Sequence, residues 1–224
     1  MIQDKMLDPR LTSGHMNGWM KLLENASTRF RCSDSGATPM VVFQNTFFFA
    51  KLEQLEFEQV CRWFKVDIDC MFRMGNLLFF VHMPGHWFLA VICFRQHEIC
   101  FLDSIPKDHK EWFDRLMAFL TYLAKGYTKP ITAKATLVGM QFDPTEWKMV
   151  EVDVPWQENA YDCGVFSCMF MLHFVAGIFQ NRRPSFPFNQ QNMVDIRYAM
   201  SFALLQNSIS SVLEDWFLQF YSDQ

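Results

Sequence analysis

No stretch of this chain reaches the ~18 uninterrupted apolar residues that a membrane-spanning helix needs. The amino-terminal "MIQDKMLDPR" has no apolar centre of the kind a secretory leader carries. Glycine and proline number nine each and build no flexible linker, repeat or low-complexity tract. There is no basic excess: 20 Lys and Arg stand against 24 Asp and Glu, a net charge of −4 with both signs scattered. That balance argues against nucleic acid as a partner. These absences predict an intracellular protein, nuclear or cytoplasmic, with no membrane partner. The spelling Asn25-Ala26-Ser27 matches a glycosylation acceptor, which without a secretory route is read as chance.

Metal-binding patterns are equally thin. The seven cysteines (32, 61, 70, 93, 100, 163 and 168) form no Cys-x-x-Cys pair. An odd number without a leader predicts reduced thiols, not a disulfide framework. Cys93, His97 and Cys100 are near in sequence, as are Cys163, Cys168 and His173, but neither set supplies four ligands. His82 and His86 are four apart, yet Pro84-Gly85 between them excludes a helical ligand pair. No metal is expected.

What remains is a core-forming composition. Half of the 224 residues are apolar and 17% aromatic, with 25 phenylalanines. That is enough for one domain spanning 1–224 with a sizeable core. Met16, Trp19, Met20, Leu22 and Leu23 predict a helix over 11–26, and residues 31–39 a loop. Leu55, Val60, Trp63 and Phe64 predict a second helix over about 54–64. The period then changes. "NLLFFVHM" (76–83), "HWFLAVICF" (86–94) and "HEICFLDSI" (97–105) read as three strands, split by Pro84-Gly85 and Arg95-Gln96. A helix is expected at 108–124, stopped by Gly126 and Pro130, then a strand at 148–154. Residues 163–180 form an apolar helix that must be buried, and further helices are expected over about 190–220. Helices, a strand cluster, then helices predict an α+β fold.

Two places carry possible chemistry. If Arg95-Gln96 is a two-residue turn, Phe94 pairs with His97, Ile92 with Ile99, Ala90 with Phe101 and Phe88 with Asp103. His86, Phe88, Phe101 and Asp103 then share a face, with His86 and Asp103 diagonal neighbours roughly 7–8 Å apart. A carboxylate there can fix the imidazole tautomer. The alternative is a pair of ordinary polar residues at a solvated rim. The second place is Cys163. Asp162 can cap a helix starting at Cys163 or Gly164, and a thiol in a first helical turn is activated as a nucleophile. Gly164 has no Cβ, so a substrate backbone can approach. The Cys163 N–H and the Gln157 amide are natural oxyanion donors. The alternative is a packing cysteine, the reading that Cys168 takes inside the apolar run.

"GHWFLAVICF", "ICFLDSI" and "VPWQENAYDCGVFSCMFM" together resemble the Ulp/SENP family of cysteine proteases. The blocks occur in family order, with 17 residues from His86 to Asp103 and 60 from Asp103 to Cys163. "VVFQNTFFFAKL", "FDPTEWKMVEVDVPWQ" and the Arg-bearing "NMVDIRYAMSFALL" extend the likeness over most of the chain. The resemblance implies a papain-like α+β domain, with a helical lobe carrying the cysteine helix and a mixed sheet carrying His and Asp. It implies that Cys163 is the nucleophile, His86 the base and then acid, Asp103 its orienter and Gln157 the oxyanion support. Trp87 would line a narrow tunnel for a Gly-Gly tail; its other reading is a core aromatic. The implied activity is cleavage after the Gly-Gly of a ubiquitin-like modifier of the SUMO type, by a monomer that needs no cofactor. Ubiquitin- or NEDD8-directed proteases share the fold, and a non-catalytic module binding such a modifier is a further alternative. One departure stands out. In "RLTSGHMNGWMKLL", Arg10 occupies the position where the family places a tail-covering tryptophan.

Overall fold

A computed structural model of the protein describes residues 8–30, 40–54, 56–64, 71–73, 75–125, 142–179 and 183–209. Helix α1 spans Ser13–Phe30 and strand β1 Met40–Gln44. Two short helices follow, α2 (Phe48–Glu53) and α3 (Phe57–Cys61). The strands β2 (Gly75–Met83), β3 (His86–Cys93) and β4 (Glu98–Leu102) come next. Helix α4 (Lys110–Ala124), strand β5 (Lys148–Glu151), helix α5 (Cys163–Phe179) and helix α6 (Met193–Gln206) complete the order.

The five strands lie in chain order in one sheet. The outer pairs β1–β2 and β4–β5 are parallel; β2–β3 and β3–β4 are antiparallel. Both faces of the sheet are covered, so its central strands read as nearly unbroken apolar runs. Leu78, Phe80, Trp87, Leu89, Val91 and Leu102 face a core shared with α1, α5 and α6. Leu77, Phe79, Phe88, Ala90, Ile92 and Phe101 face α2, α3 and α4. The alternation of neighbours between the two cores is the two-residue period of a strand. Helix α5 lies in the first core and is buried along its first thirteen residues, as its all-round apolar sequence requires.

The β2–β3 hairpin closes on the pair Met83–His86. Pro84 and Gly85 make its turn. Proline suits the first turn position, and Gly85 adopts φ +77° at the second, where a Cβ is strongly disfavoured. This turn sets His86 at the very start of β3.

The β3–β4 register is the expected one: Ile92 pairs with Ile99 and Ala90 with Phe101. The turn is not. The ladder begins at Cys93–Glu98, Phe94–Gln96 form a 3-10 turn, and His97 is left-handed at φ +53°. The expected Phe94–His97 pair is replaced by a His97 N–H to Phe94 carbonyl bond of 3.3 Å. Right-twisted strands are poorly joined by an ordinary tight turn, and the extra bend in the backbone is absorbed at His97.

The helix expected over about 54–64 is the shorter α3, and a further helix, α2, precedes it with Phe48, Phe49 and Leu52 buried. Strand β4 ends at Leu102 and β5 at Glu151, both shorter than expected. The loop at 31–39, the stops at Gly126 and Pro130, and the tail from 210 to 220 lie outside the described residues.

Candidate active site

Three segments meet at one end of the strands β3 and β4. His86 opens β3, and Asp103 follows directly on the last ladder residue of β4. His86 Nε2 lies 2.7 Å from Asp103 Oδ1. The Cys163 thiol acts on the same ring and, like Asp103, favours its protonated form. Cys163 is the first residue of α5. The diagonal placement inferred from the hairpin thus brings His86 and Asp103 together, and the start of α5 adds the thiol.

Burial of the His86 ring works against its charged form. The hydrogen bonds and negative charges of Asp103 and Cys163 outweigh it and raise the group to about 9. Burial likewise works against the Asp103 carboxylate, but His109, His86 and the Ile105 N–H hold it below the ordinary carboxylate range. The Ile105 N–H donates to Oδ1 at 2.9 Å, and His109 Nε2 stands 3.2 Å from Oδ2.

Gln157 is placed by the residue next to Asp103. Its N–H donates to the Ser104 carbonyl at 3.0 Å, and Ser104 Oγ donates to Gln157 Oε1 at 2.7 Å. Gln157 Nε2 donates to the Asn159 carbonyl; an amide nitrogen carries two hydrogens, so a second remains to donate.

Asp162 starts α5 through its main chain, its carbonyl accepting from the Phe166 N–H at 3.0 Å. Its buried carboxylate serves another purpose than the cap expected of it. It accepts from Asn159, Gln190 and Arg197 at 2.6, 2.7 and 2.8 Å. Arg197, on α6, also donates to the Pro9 carbonyl at 2.8 Å and the Tyr161 carbonyl at 3.2 Å. One guanidinium therefore ties the residue before Cys163 to the segment before α1, a use of its rigid fork of donors.

That segment covers the start of α5. The Trp87 indole donates to the Leu11 carbonyl at 3.1 Å, and its ring lies 4.2 Å from that of His82. Trp87 packs in the α1–α5 core, on the face opposite Phe88. A Cβ on Gly164 would lie 2.9 Å from Leu11 Cβ, so the space over this glycine is filled by Leu11. Arg10 is exposed and paired with Asp8 at 2.7 Å. Its guanidinium sits beside Gly85 and feels the charge of Cys163. Cys163 itself is only 1% exposed, so its neighbours must yield before a carbonyl reaches the sulfur.

The other thiols are built differently. Cys168 is packed in the core against Met16 Sδ at 3.6 Å, and burial pushes its thiol up. Cys93 is hydrogen-bonded to Cys100 across the β3–β4 ladder, which, with burial, raises it. Among the described residues, no group of three or more His, Cys, Asp or Glu could hold a metal ion. No helix among them is long and apolar enough to cross a membrane.

His109, Ser104 and Arg197 were not reached as individual residues by sequence reasoning. Arg197 had a signal, being the lone cation of α6. Ser104 adjoins Asp103 in the quoted strand block. His109 has none, since its place depends on how α4 folds back onto β4.

Residues 10–211 match the family model described as the Ulp1 protease family, C-terminal catalytic domain. A sentrin-specific protease of Caenorhabditis elegans is 30% identical over 185 residues, covering 82% of this chain and 24% of that protein. Ubiquitin-like-specific protease 1 of Saccharomyces cerevisiae is 28% identical over 138 residues, 61% of this chain and 20% of that protein. The chain thus spans about a quarter or less of the length of these two relatives. Among solved structures, the Chaetomium thermophilum Ulp1-like SUMO protease catalytic domain superposes with a TM-score of 0.68 at 17% identity, over 90% of this chain and 74% of that one. The C-terminal Ulp1 protease domain in complex with the yeast ortholog of SUMO gives 0.63 at 19% identity, over 90% and 79%. These superpositions show the fold, which is the papain-like α+β arrangement of helical lobe and mixed sheet. With nearly its whole length matched by that family's catalytic domain, the chain belongs to the Ulp1 protease family.

Proposed function

We propose that this chain is a cysteine protease that cleaves after the C-terminal Gly-Gly of a ubiquitin-like modifier of the SUMO type. The observation that carries the proposal is the His86–Asp103 hydrogen bond on a ring that Cys163 also acts on, with the sulfur on the first residue of a helix. His86 holds its proton up to about pH 9, so at neutral pH a positive ring stands beside the thiol. Such a charge, with the positive end of a helix, favours the nucleophilic form of a cysteine.

In the proposed reaction the Cys163 sulfur attacks the glycine carbonyl. The developing oxyanion takes hydrogen bonds from the Cys163 N–H and the second Nε2 hydrogen of Gln157. His86 gives its proton to the leaving amine, and an acyl-enzyme forms. Neutral His86, its tautomer set by Asp103, then draws a proton from water, which releases the modifier. On this reading Trp87, whose indole is bonded to the Leu11 carbonyl, and residues 8–11 flank a side-chain-free tail.

Modifiers of the SUMO, ubiquitin and NEDD8 types bearing a C-terminal glycine-vinylsulfone test this side by side. The expected result is covalent labelling by the SUMO type first, lost in Cys163→Ser. One observation favours a second reading: the nearly closed thiol, with Leu11 seated on Gly164, is what a binding module would also present. Modifier binding without labelling of the wild type selects that reading.

A further inference from the structure

A second histidine stands behind the Asp103 carboxylate, and nothing in the proposed reaction uses it. His109 is 1% exposed. Its Nε2 lies 3.2 Å from Asp103 Oδ2, and its Nδ1 lies 2.8 and 3.0 Å from the two oxygens of Glu151. The ring is stacked on Phe101 at 4.9 Å and 6°, with Phe88 at 4.9 Å and Trp112 at 5.6 Å on its other sides. His109 also caps α4, its carbonyl accepting from the Phe113 N–H at 2.9 Å. Glu151 closes β5, in register with Phe101. One imidazole thus joins the start of a helix, the end of a strand and the carboxylate that holds His86.

Asp103 needs such a partner. It lies just beyond the β4 ladder, and the carboxylate torsion of an aspartate is broad and two-fold. Oδ1 is occupied by His86 and the Ile105 N–H, both on one side of the group. A donor on Oδ2 fixes the plane of the carboxylate and keeps Oδ1 on the imidazole. We propose that His109 is a positioning residue that clamps Asp103 through Oδ2, with Glu151 as the outer brace. The arrangement has the form of the outer hydrogen bonds that orient metal-ligating or catalytic histidines elsewhere. The His109 bond lowers the Asp103 group more than the His86 bond does, which accords with this role.

This inference rests on the protease reading, and the test separates the two. His109→Phe keeps a ring of similar size and removes the donor; His109→Gln keeps a donor near the Nε2 position. Each is assayed for turnover of a SUMO–aminomethylcoumarin substrate and for alkylation of Cys163 by iodoacetamide, which needs no modifier. His109→Phe is expected to lower kcat about ten- to a hundredfold with KM unchanged, and to slow alkylation. His109→Gln recovers most of both. Wild-type rates in His109→Phe overturn the inference while leaving the protease reading intact. Equal losses in both variants, tracking their thermal stability, also overturn it and make His109 a packing residue. A wild type that cleaves no modifier overturns the protease reading, and alkylation still reads the clamp. Should His109→Phe not fold, half-exposed Glu151→Gln takes its place; it is expected to cost a few-fold in kcat, and an unchanged kcat overturns the brace.

Discussion

The β3–β4 hairpin has a histidine paired with a carboxylate at each end, Glu146 reaching the turn end from the segment before β5, and the two pairs differ in almost everything but chemistry. At the turn end, His97 Nδ1 lies 3.2 Å from Glu146, with side chains 45% and 56% exposed. At the open end, His86 Nε2 lies 2.7 Å from Asp103, with side chains 11% and 3% exposed. The exposed pair is screened by water and holds two mobile side chains for little return. The buried pair has lost its water, is strengthened by the low dielectric around it, and has further partners in Cys163 and His109. An imidazole becomes a tuned proton carrier through what encloses it and what sits on its second nitrogen, not through the carboxylate alone.

The sharpest way to break this comparison is to remove one charge from each pair. Asp103→Asn is expected to cut kcat on a modifier substrate by about 10²–10⁴-fold, because an amide in that place can present its NH2 and impose the wrong tautomer. Glu146→Gln is expected to leave kcat within about two-fold, as befits a rim charge. The two variants differ by the same pair of atoms, so general damage cannot mimic the contrast. Equal turnover in both would dissolve the distinction between the ends and remove Asp103 from its role.

The buried end was partly legible in the sequence. The blocks 86–94 and 97–105 read as paired strands, and the register assumed from a two-residue turn at Arg95-Gln96, which the ladder keeps, carries His86 to Asp103 across a face. The start of α5 was legible because Asp162-Cys163-Gly164 opens a run with no polar face to expose. The cover over the start of α5 was not. Leu11 meets Gly164 and Arg197 meets Asp162 only after α1 and α6 dock on α5, and no local period encodes a docking angle. The sequence offered Gly164 as room for a substrate and gave no sign that the missing Cβ admits Leu11. His109 is silent in the same way. Its partners come from β4 and β5, and its own segment, "PKDHKEW", looks like any solvated helix start.

A second, smaller effect sharpens the comparison through pH. His86 is raised to about 9 in the fold, against ~6.5 in an unfolded chain. The folded state therefore binds this proton more tightly than the unfolded state does. The resulting stability is complete below ~6.5 and is lost as pH rises through about 9. At full strength it is on the order of 3 kcal/mol. Urea midpoints of the wild type and of His86→Gln, taken from pH 6 to 10, should converge as pH climbs through that window. A gap that stays constant, or widens with pH, would mean that the ring is not held charged by its neighbours.

The smallest effect belongs to the turn end, and it decides whether that end is inert. His97 occupies the left-handed region, stacks on Trp147 at 5.4 Å and approaches Glu146. A His97→Ala change would confound all three contributions, so asparagine, which tolerates that backbone region, is the better replacement. In a double-mutant cycle of His97→Asn and Glu146→Gln the coupling is expected below about 1 kcal/mol and to fade in molar salt, where screening reaches roughly 3 Å. The stacking on Trp147 cancels from the cycle because it is lost in both arms that carry asparagine. A coupling of several kcal/mol, insensitive to salt, would place the two ends on an equal footing and shift the cause of tuning from burial to the pairing itself.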